Sequence, residues 1–216
     1  MKKVTILMSA LTMALVGCGG GDNIADNPLV QEWNTPYQTP PFSKSEPKHY
    51  EPAIDYAIEQ NRKEIDAIVN NPEAPTFENT IVAMERAGEL LGRVTGVFYV
   101  LNNCDTNAEM EQIANNITPK LTELSNDVAL NPELFKRVKA VYDQRAELQL
   151  DEQDMQLLEE TYKGFARSGA LLEGKDQELY RQYTSELAQL TLKFGQNALA
   201  ATNAFTLNIT DEAKVA

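Results

Sequence analysis

One histidine, two cysteines and a surplus of carboxylates set the chemistry open to this chain of 216 residues. A catalytic zinc needs about three protein ligands and an open coordination position. His49 is the sole histidine. Its neighbours Lys48, Tyr50 and Pro52 place it at a helix entrance, where an imidazole bonded to backbone is expected rather than a metal ligand. No catalytic residue and no metal ligand is therefore assigned. Ser-His or Cys-His catalysis would have to recruit the same His49, with Ser43, Ser45 or a distant residue, and no nucleophile-elbow glycine pattern is present. A di-iron bundle needs two Glu-x-x-His pairs, and a chain with one histidine can hold at most the single Glu46-Pro47-Lys48-His49. Glu159 and Glu160 are adjacent, so they point to different sides of a helix and are read as solvated. Arg167, beside Ser168-Gly169 on a loop, is a candidate to meet a substrate carboxylate. The alternative is that it caps the last carbonyls of the helix it ends. Thirty-two acidic against 19 basic residues give a net charge of −13, which argues against nucleic acid as a partner because phosphate binding needs a cationic footprint.

The N-terminus carries an export signal. Lys2 and Lys3 precede an apolar run from Val4 to Val16, too short for a membrane span of about 20 residues and shaped like the charged and apolar parts of a secretory leader. The run ends Leu15-Val16-Gly17-Cys18, which resembles a bacterial lipobox. Residues 1–17 are thus expected to be a signal peptide, with lipid on Cys18 anchoring the exported chain to a membrane on its periplasmic or surface side. With Cys18 lipidated, Cys104 has no partner for an intrachain disulfide and is expected to be a small buried or half-buried residue.

An all-α bundle of about six helices must position these groups. Gly19-Gly20-Gly21 and the polar residues to Asn27 make a flexible tether over 18–27. Five prolines between Pro28 and Pro47 predict an extended arm over 28–47, with Leu29, Trp33, Tyr37 and Phe42 available to pack on the domain. Helical periodicity then runs through 48–203. The first helix spans roughly 51–70, with Ile54, Ile58, Ile65 and Ile68 as its stripe and Asn61 among them. Thr76 caps a longer second helix carrying Ile81, Met84, Leu91, Val94, Phe98 and Leu101. Gly88, Gly92 and Gly96 lie on nearly one face of it, and the cost of about 1 kcal/mol per helical glycine predicts close approach of another backbone there. Thr106 is expected to cap the third helix, which runs to about Leu130 past Pro119. Asn131-Pro132 opens the fourth, with Leu134, Phe135, Val138, Val141, Tyr142 and Leu148 on its apolar side. Asp151 opens the fifth, which Ser168-Gly169 ends. The sixth, about Asp176 to Thr202, carries Leu179, Tyr183, Leu187, Leu190 and Phe194 near heptad spacing. Over 204–216, Phe205, Leu207 and Ile209 alternate with polar residues and predict a short strand.

Residues from Lys48-His49-Tyr50-Glu51-Pro52-Ala53, through Glu64-Ile65-Asp66-Ala67-Ile68 and Ala74-Pro75-Thr76-Phe77-Glu78-Asn79-Thr80-Ile81, to Leu90-Leu91-Gly92-Arg93-Val94 and Phe98 carry a resemblance. In their order and spacing they resemble the N-terminal part of the thimet-oligopeptidase and peptidyl-dipeptidase family of zinc metallopeptidases. Thr106-Asn107, Leu134-Phe135-Lys136-Arg137-Val138, Arg167-Ser168-Gly169-Ala170 and Phe194-Gly195-Gln196-Asn197 extend it across residues 28–215. The resemblance implies a two-lobed helical enzyme with a deep channel, zinc on the far lobe held by an HExxH helix, and short peptides as substrates. This chain would form part of the near lobe, wall the channel and dock on the C-terminal catalytic portion, with no cofactor of its own. The alternative is a free-standing, lipid-anchored helical module that binds peptides or a protein partner without catalysis.

Overall fold

The computed structural model describes residues 23–210. The segments expected to be the leader and the lipidated Cys18, and the end of the tail, lie outside the described residues, which are all-α: six long helices, one short helix, three 3-10 turns, one π-helical turn and no strand.

The first helix, α1 (Tyr50–Val69), is the spine of the fold. Pro52 sits in its first turn, where a missing N–H costs nothing. One buried stripe runs its length, and the two halves of that stripe serve different cores. Tyr50, Ala53, Ile54 and Ile58 pack with Val94, Phe98, Ile113 and Ile117, whereas Ile65 and Ile68 pack with Ile81, Leu134, Val138 and Leu158. The N-terminal arm joins the first core by half its apolar residues. Leu29 is fully buried and Trp33 lies under the Arg93 guanidinium, 4.8 Å from the ring centre, but Tyr37 and Phe42 face solvent. A short 3-10 turn at Pro36–Gln38 interrupts the expected extended path, and another at Ile24–Asp26 gives structure to the end of the segment expected to be a flexible tether.

The second segment departs from the expected single helix. Thr76 does cap it: its Oγ1 accepts from the Asn79 N–H at 3.0 Å while Asn79 Oδ1 accepts from the Thr76 N–H at 2.8 Å. A wide π-helical turn, Phe77–Val82, then leads into the short helix α2 (Ala83–Arg86). The chain breaks at Ala87 and Gly88 before α3 (Glu89–Cys104) begins. Gly88 adopts φ +80°, and a Cβ there would stand 2.8 Å from Asn61 Nδ2. Its N–H donates to Glu64 Oε2 at 2.7 Å. Glycine is required at 88 by conformation and by space. The expected close packing fails at the other two positions, because a Cβ at Gly92 or Gly96 would meet nothing within 4 Å. Leucine at Gly92 therefore has no wall to displace in this chain. Gly92→Ala and Gly96→Ala are each expected to raise stability in a urea titration by about 0.5–1 kcal/mol, while Gly88→Ala lowers it. A loss at Gly92→Ala would reinstate a packed glycine face.

The next helix, α4 (Ala108–Ala129), is capped by Asn107, not Thr106: Asn107 Oδ1 accepts from the N–H groups of Glu109 and Met110 at 3.0 Å. Thr106 instead donates to Asn102 Oδ1. Helix α5 (Pro132–Asp143) starts at the expected Asn131-Pro132 but stops before Leu148, which packs on the second core from a loop. Asp151 caps α6 (Glu152–Arg167), accepting from the Asp154 N–H at 2.8 Å. Between α5 and α6 the rings of Phe135, Tyr162 and Tyr142 stack in sequence, with Phe165 on the other side of Phe135. Gly169, at φ +89°, ends the turn after α6, where a Cβ would press on Leu130 at 3.0 Å.

The longest helix, α7 (Lys175–Ala204), lies along α4 and buries none of its residues. Toward α4 it turns Arg181, Thr184, Leu192 and Gln196, and Thr184 donates to the buried Asn126 at 3.0 Å. Four of the five near-heptad residues point the other way: Tyr183 is 60% exposed, Leu187 64%, Leu190 57% and Phe194 75%. The anticipated C-terminal strand does not form among the described residues. Residues 205–210 leave α7 extended and unpaired, because no other segment offers a strand edge.

Candidate functional site

His49 closes the 3-10 turn Pro47–His49 that feeds α1, and its Nδ1 accepts from the Glu46 N–H at 3.0 Å. Its backbone carbonyl accepts from Asn27 Nδ2 at 2.8 Å, tying the arm to the helix entrance. One ring nitrogen is thus committed to capping. Among the described residues no three His, Cys, Asp or Glu side chains gather around a common point. These side chains do not fit the ligand set of a catalytic zinc. Cys104, expected to be at least half-buried, is exposed, because it is the last residue of α3 and has left the packed face.

Arg167 ends α6 with its side chain exposed. It makes no hydrogen bond or ion pair among the described residues, so its guanidinium holds neither a carboxylate nor the helix carbonyls. The next residue, Ser168, lines an open cleft of about 450 Å³ between α1, α3, α4 and α6. Leu91, Leu121, Leu124, Val128 and Phe165 make most of its wall. Asn61, only 8% exposed, lines it too, and its amide makes no hydrogen bond. The lining offers apolar surface, hydroxyls from Ser125 and Thr161, and an amide, with Glu160 at the edge. An apolar wall with a few hydroxyls and an amide has the composition of a binding cleft. Sequence reasoning marked Asn61 as a polar residue inside an apolar stripe. The cleft itself escaped because its walls come from four helices whose pairing no local pattern records.

Ion pairs fix the helices around this cleft. Asp127 of α4 accepts from Arg62 of α1 at 2.6 Å and from Arg181 of α7 at 2.8 Å. Burial alone would push the Asp127 carboxyl up, but the hydrogen bonds from the two arginines hold it below the ordinary carboxylate value. Lys120 reaches both Glu51 and Asp55 and locks the opposite end of α1 to α4. Burial opposes its charge, yet these two carboxylates raise its pKa above the usual lysine value.

The amino-acid sequence is similar to those of known peptidases. The chain is 40% identical to the dipeptidyl carboxypeptidase of Salmonella typhimurium over 188 residues, which are 87% of this chain and 28% of that protein. It is also 40% identical to the dipeptidyl carboxypeptidase of Escherichia coli over 190 residues, 88% of this chain and 28% of that one. The matched residues belong to the dipeptidyl carboxypeptidase and oligopeptidase A family. Oligopeptidase A of Escherichia coli is 28% identical over 190 residues, 88% of this chain and 27% of that protein. No family model matches the chain. Since the chain spans little more than a quarter of each of these peptidases, it corresponds to a part of a larger enzyme. In this chain the α1 stripe, the Gly88 break and the Ser168-Gly169 turn are local features that set the helices around the cleft.

Proposed function

We propose that this chain is the N-terminal helical domain of an exported zinc peptidyl-dipeptidase or oligopeptidase, which walls the peptide channel while chemistry is done by a portion outside it. The observation that carries this reading is the match: 87% of the chain aligns at 40% identity with only 28% of a dipeptidyl carboxypeptidase. The engagement of His49 Nδ1 at a helix entrance supports the wall role assigned to this chain. Arg167 is a residue of the channel side in this reading, its free guanidinium available to a peptide carboxylate as a short peptide passes. The zinc of the whole enzyme would be held by ligands of the other portion. Lipid on Cys18 would hold the domain at a membrane surface.

Two measurements test this reading. The purified 216-residue chain, incubated with short internally quenched peptides and added zinc, is expected to give no turnover, and turnover lost on His49→Ala would contradict the proposal. Mass spectrometry of the N-terminus of the chain exported from a bacterium is expected to place a lipid on Cys18; an unmodified start elsewhere would remove the anchor.

A further inference from the structure

The outer face of α7 is apolar in an acidic protein, and none of the described residues covers it. Charged residues make up 24% of the chain, yet Lys193 is the only one between Leu187 and Thr210. A stretch so poor in charge would be expected inside a protein. Instead Tyr183, Leu187, Leu190 and Phe194 stand in solvent, followed by Phe205 and Leu207 at 74% and 70% exposure. The opposite face of the same helix is already spent on α4, through Arg181, Thr184 and Leu192. Helix α7 therefore carries two seams, one filled and one empty.

The spacing of the empty seam says what shape fits it. Positions 183, 187, 190 and 194 repeat at intervals of four, three and four, the pattern by which one helix receives another along its length at a shallow crossing of about 20°. From Tyr183 to Phe194 the seam runs about 16 Å, three turns of helix. A flat sheet or a small ligand would not use that repeat, and single exposed apolar residues would not line up in it. More than two thirds of each dipeptidyl carboxypeptidase that the chain resembles lies outside the matched region, which supplies the chain length needed to cover it. A second copy is the poorer occupant, since each copy brings its own charge of −13 to the contact.

We propose that the outer seam of α7, Tyr183, Leu187, Leu190 and Phe194, is the docking surface for an apolar-faced helix of the peptidase portion outside this chain, so that α7 becomes the middle helix between α4 and that partner. The proposal rests on the peptidase reading above and adds to it the surface and the kind of element it receives. Apolar contact along three turns fixes the two portions against each other, and the neighbouring cleft beside Ser168 then takes its place in a continuous wall.

Hydroxyl-radical footprinting read by mass spectrometry tests the surface without altering it. The comparison is between this chain and a single-chain chimera in which the 190 matched residues of the Escherichia coli dipeptidyl carboxypeptidase are replaced by their counterparts here. At matched radical dose, oxidation of Tyr183, Leu187, Leu190 and Phe194 is expected to fall at least about fivefold in the chimera. A chimera that hydrolyses peptides while these residues oxidise as fast as before would overturn the docking surface and leave the peptidase reading standing. A folded chimera with no hydrolysis and an unprotected seam would overturn both. Protection that grows with the concentration of this chain alone would assign the seam to a second copy and sink the proposed occupant. Should the chimera fail to fold, the α7-equivalent segment of the intact Escherichia coli enzyme decides: protection there supports the surface, and free oxidation refutes it.

Discussion

Phe98→Ala lowers the stability of this chain by about 3–5 kcal/mol, whereas Phe194→Ala shifts it by less than about 0.5 kcal/mol. The two side chains are chemically identical and both sit on helices, so the contrast isolates packing. Phe98 of α3 is fully buried and meets Tyr50 of α1 edge-on, with ring centres 5.5 Å apart, and Tyr99 at 5.2 Å. It stands among Ile54, Val94 and Ile117, so truncation opens a cavity in the first core that neighbours on three helices cannot close. Phe194 has three quarters of its surface already in water and loses little when shortened. Urea titrations of the two variants measure the difference. Equal losses would mean that α7 is folded onto something its description as an open helix leaves out.

Arg137→Met is the second large effect, expected to cost about 1–3 kcal/mol because it removes donors while keeping side-chain volume. Arg137 of α5 is only 8% exposed, yet among the described residues it has no carboxylate partner. It donates to the Asn71 carbonyl at 3.0 Å, the Glu73 carbonyl at 3.3 Å and Asn79 Oδ1 at 3.2 Å. These contacts pin the turn between α1 and the Thr76 cap, a segment with two prolines, Pro72 and Pro75, whose other bonds are local, such as Glu73 N–H to Asn71 Oδ1 and Asn79 Nδ2 to the Ala74 carbonyl. Loss of stability should therefore come with faster proteolysis within residues 70–76. An unchanged urea midpoint with the turn still protected would show that its own local bonds suffice.

Much of this architecture could be read from local signals. Asn131-Pro132, Asp151 and Ser168-Gly169 mark helix ends by chemistry contained within three or four residues, and each lies where its chemistry requires. The errors have a common cause, which is that the deciding contact is distant in sequence. Thr106 and Asn107 are both capping residues, and only the geometry of the α3 end decides that Thr106 bonds Asn102 while Asn107 caps α4. Gly88, Gly92 and Gly96 look equivalent by spacing, yet Asn61 of α1 crowds only Gly88. The apolar pattern continues unbroken across Ala87 and Gly88, so periodicity alone gave no sign of the break. For α7 the stripe was plain in the sequence and its orientation was not, because both sides of the helix carry apolar residues and only Asp127 and Asn126 on α4 say which side faces inward. The alternation at Phe205, Leu207 and Ile209 describes a strand that needs an edge from elsewhere, and among the described residues none is supplied.

The account stands on one statement, that these residues are the helical, non-catalytic part of a peptidase. Its most direct measurement is zinc-dependent hydrolysis of a short peptide by the chimera that carries this chain in place of the matched 190 residues of the Escherichia coli dipeptidyl carboxypeptidase. The predicted result is a kcat/KM within about tenfold of the parent enzyme, a difference of no more than about 1.4 kcal/mol in transition-state stabilisation. A chimera that is folded and helical but hydrolyses nothing, while this chain alone cleaves the same peptide, would contradict it.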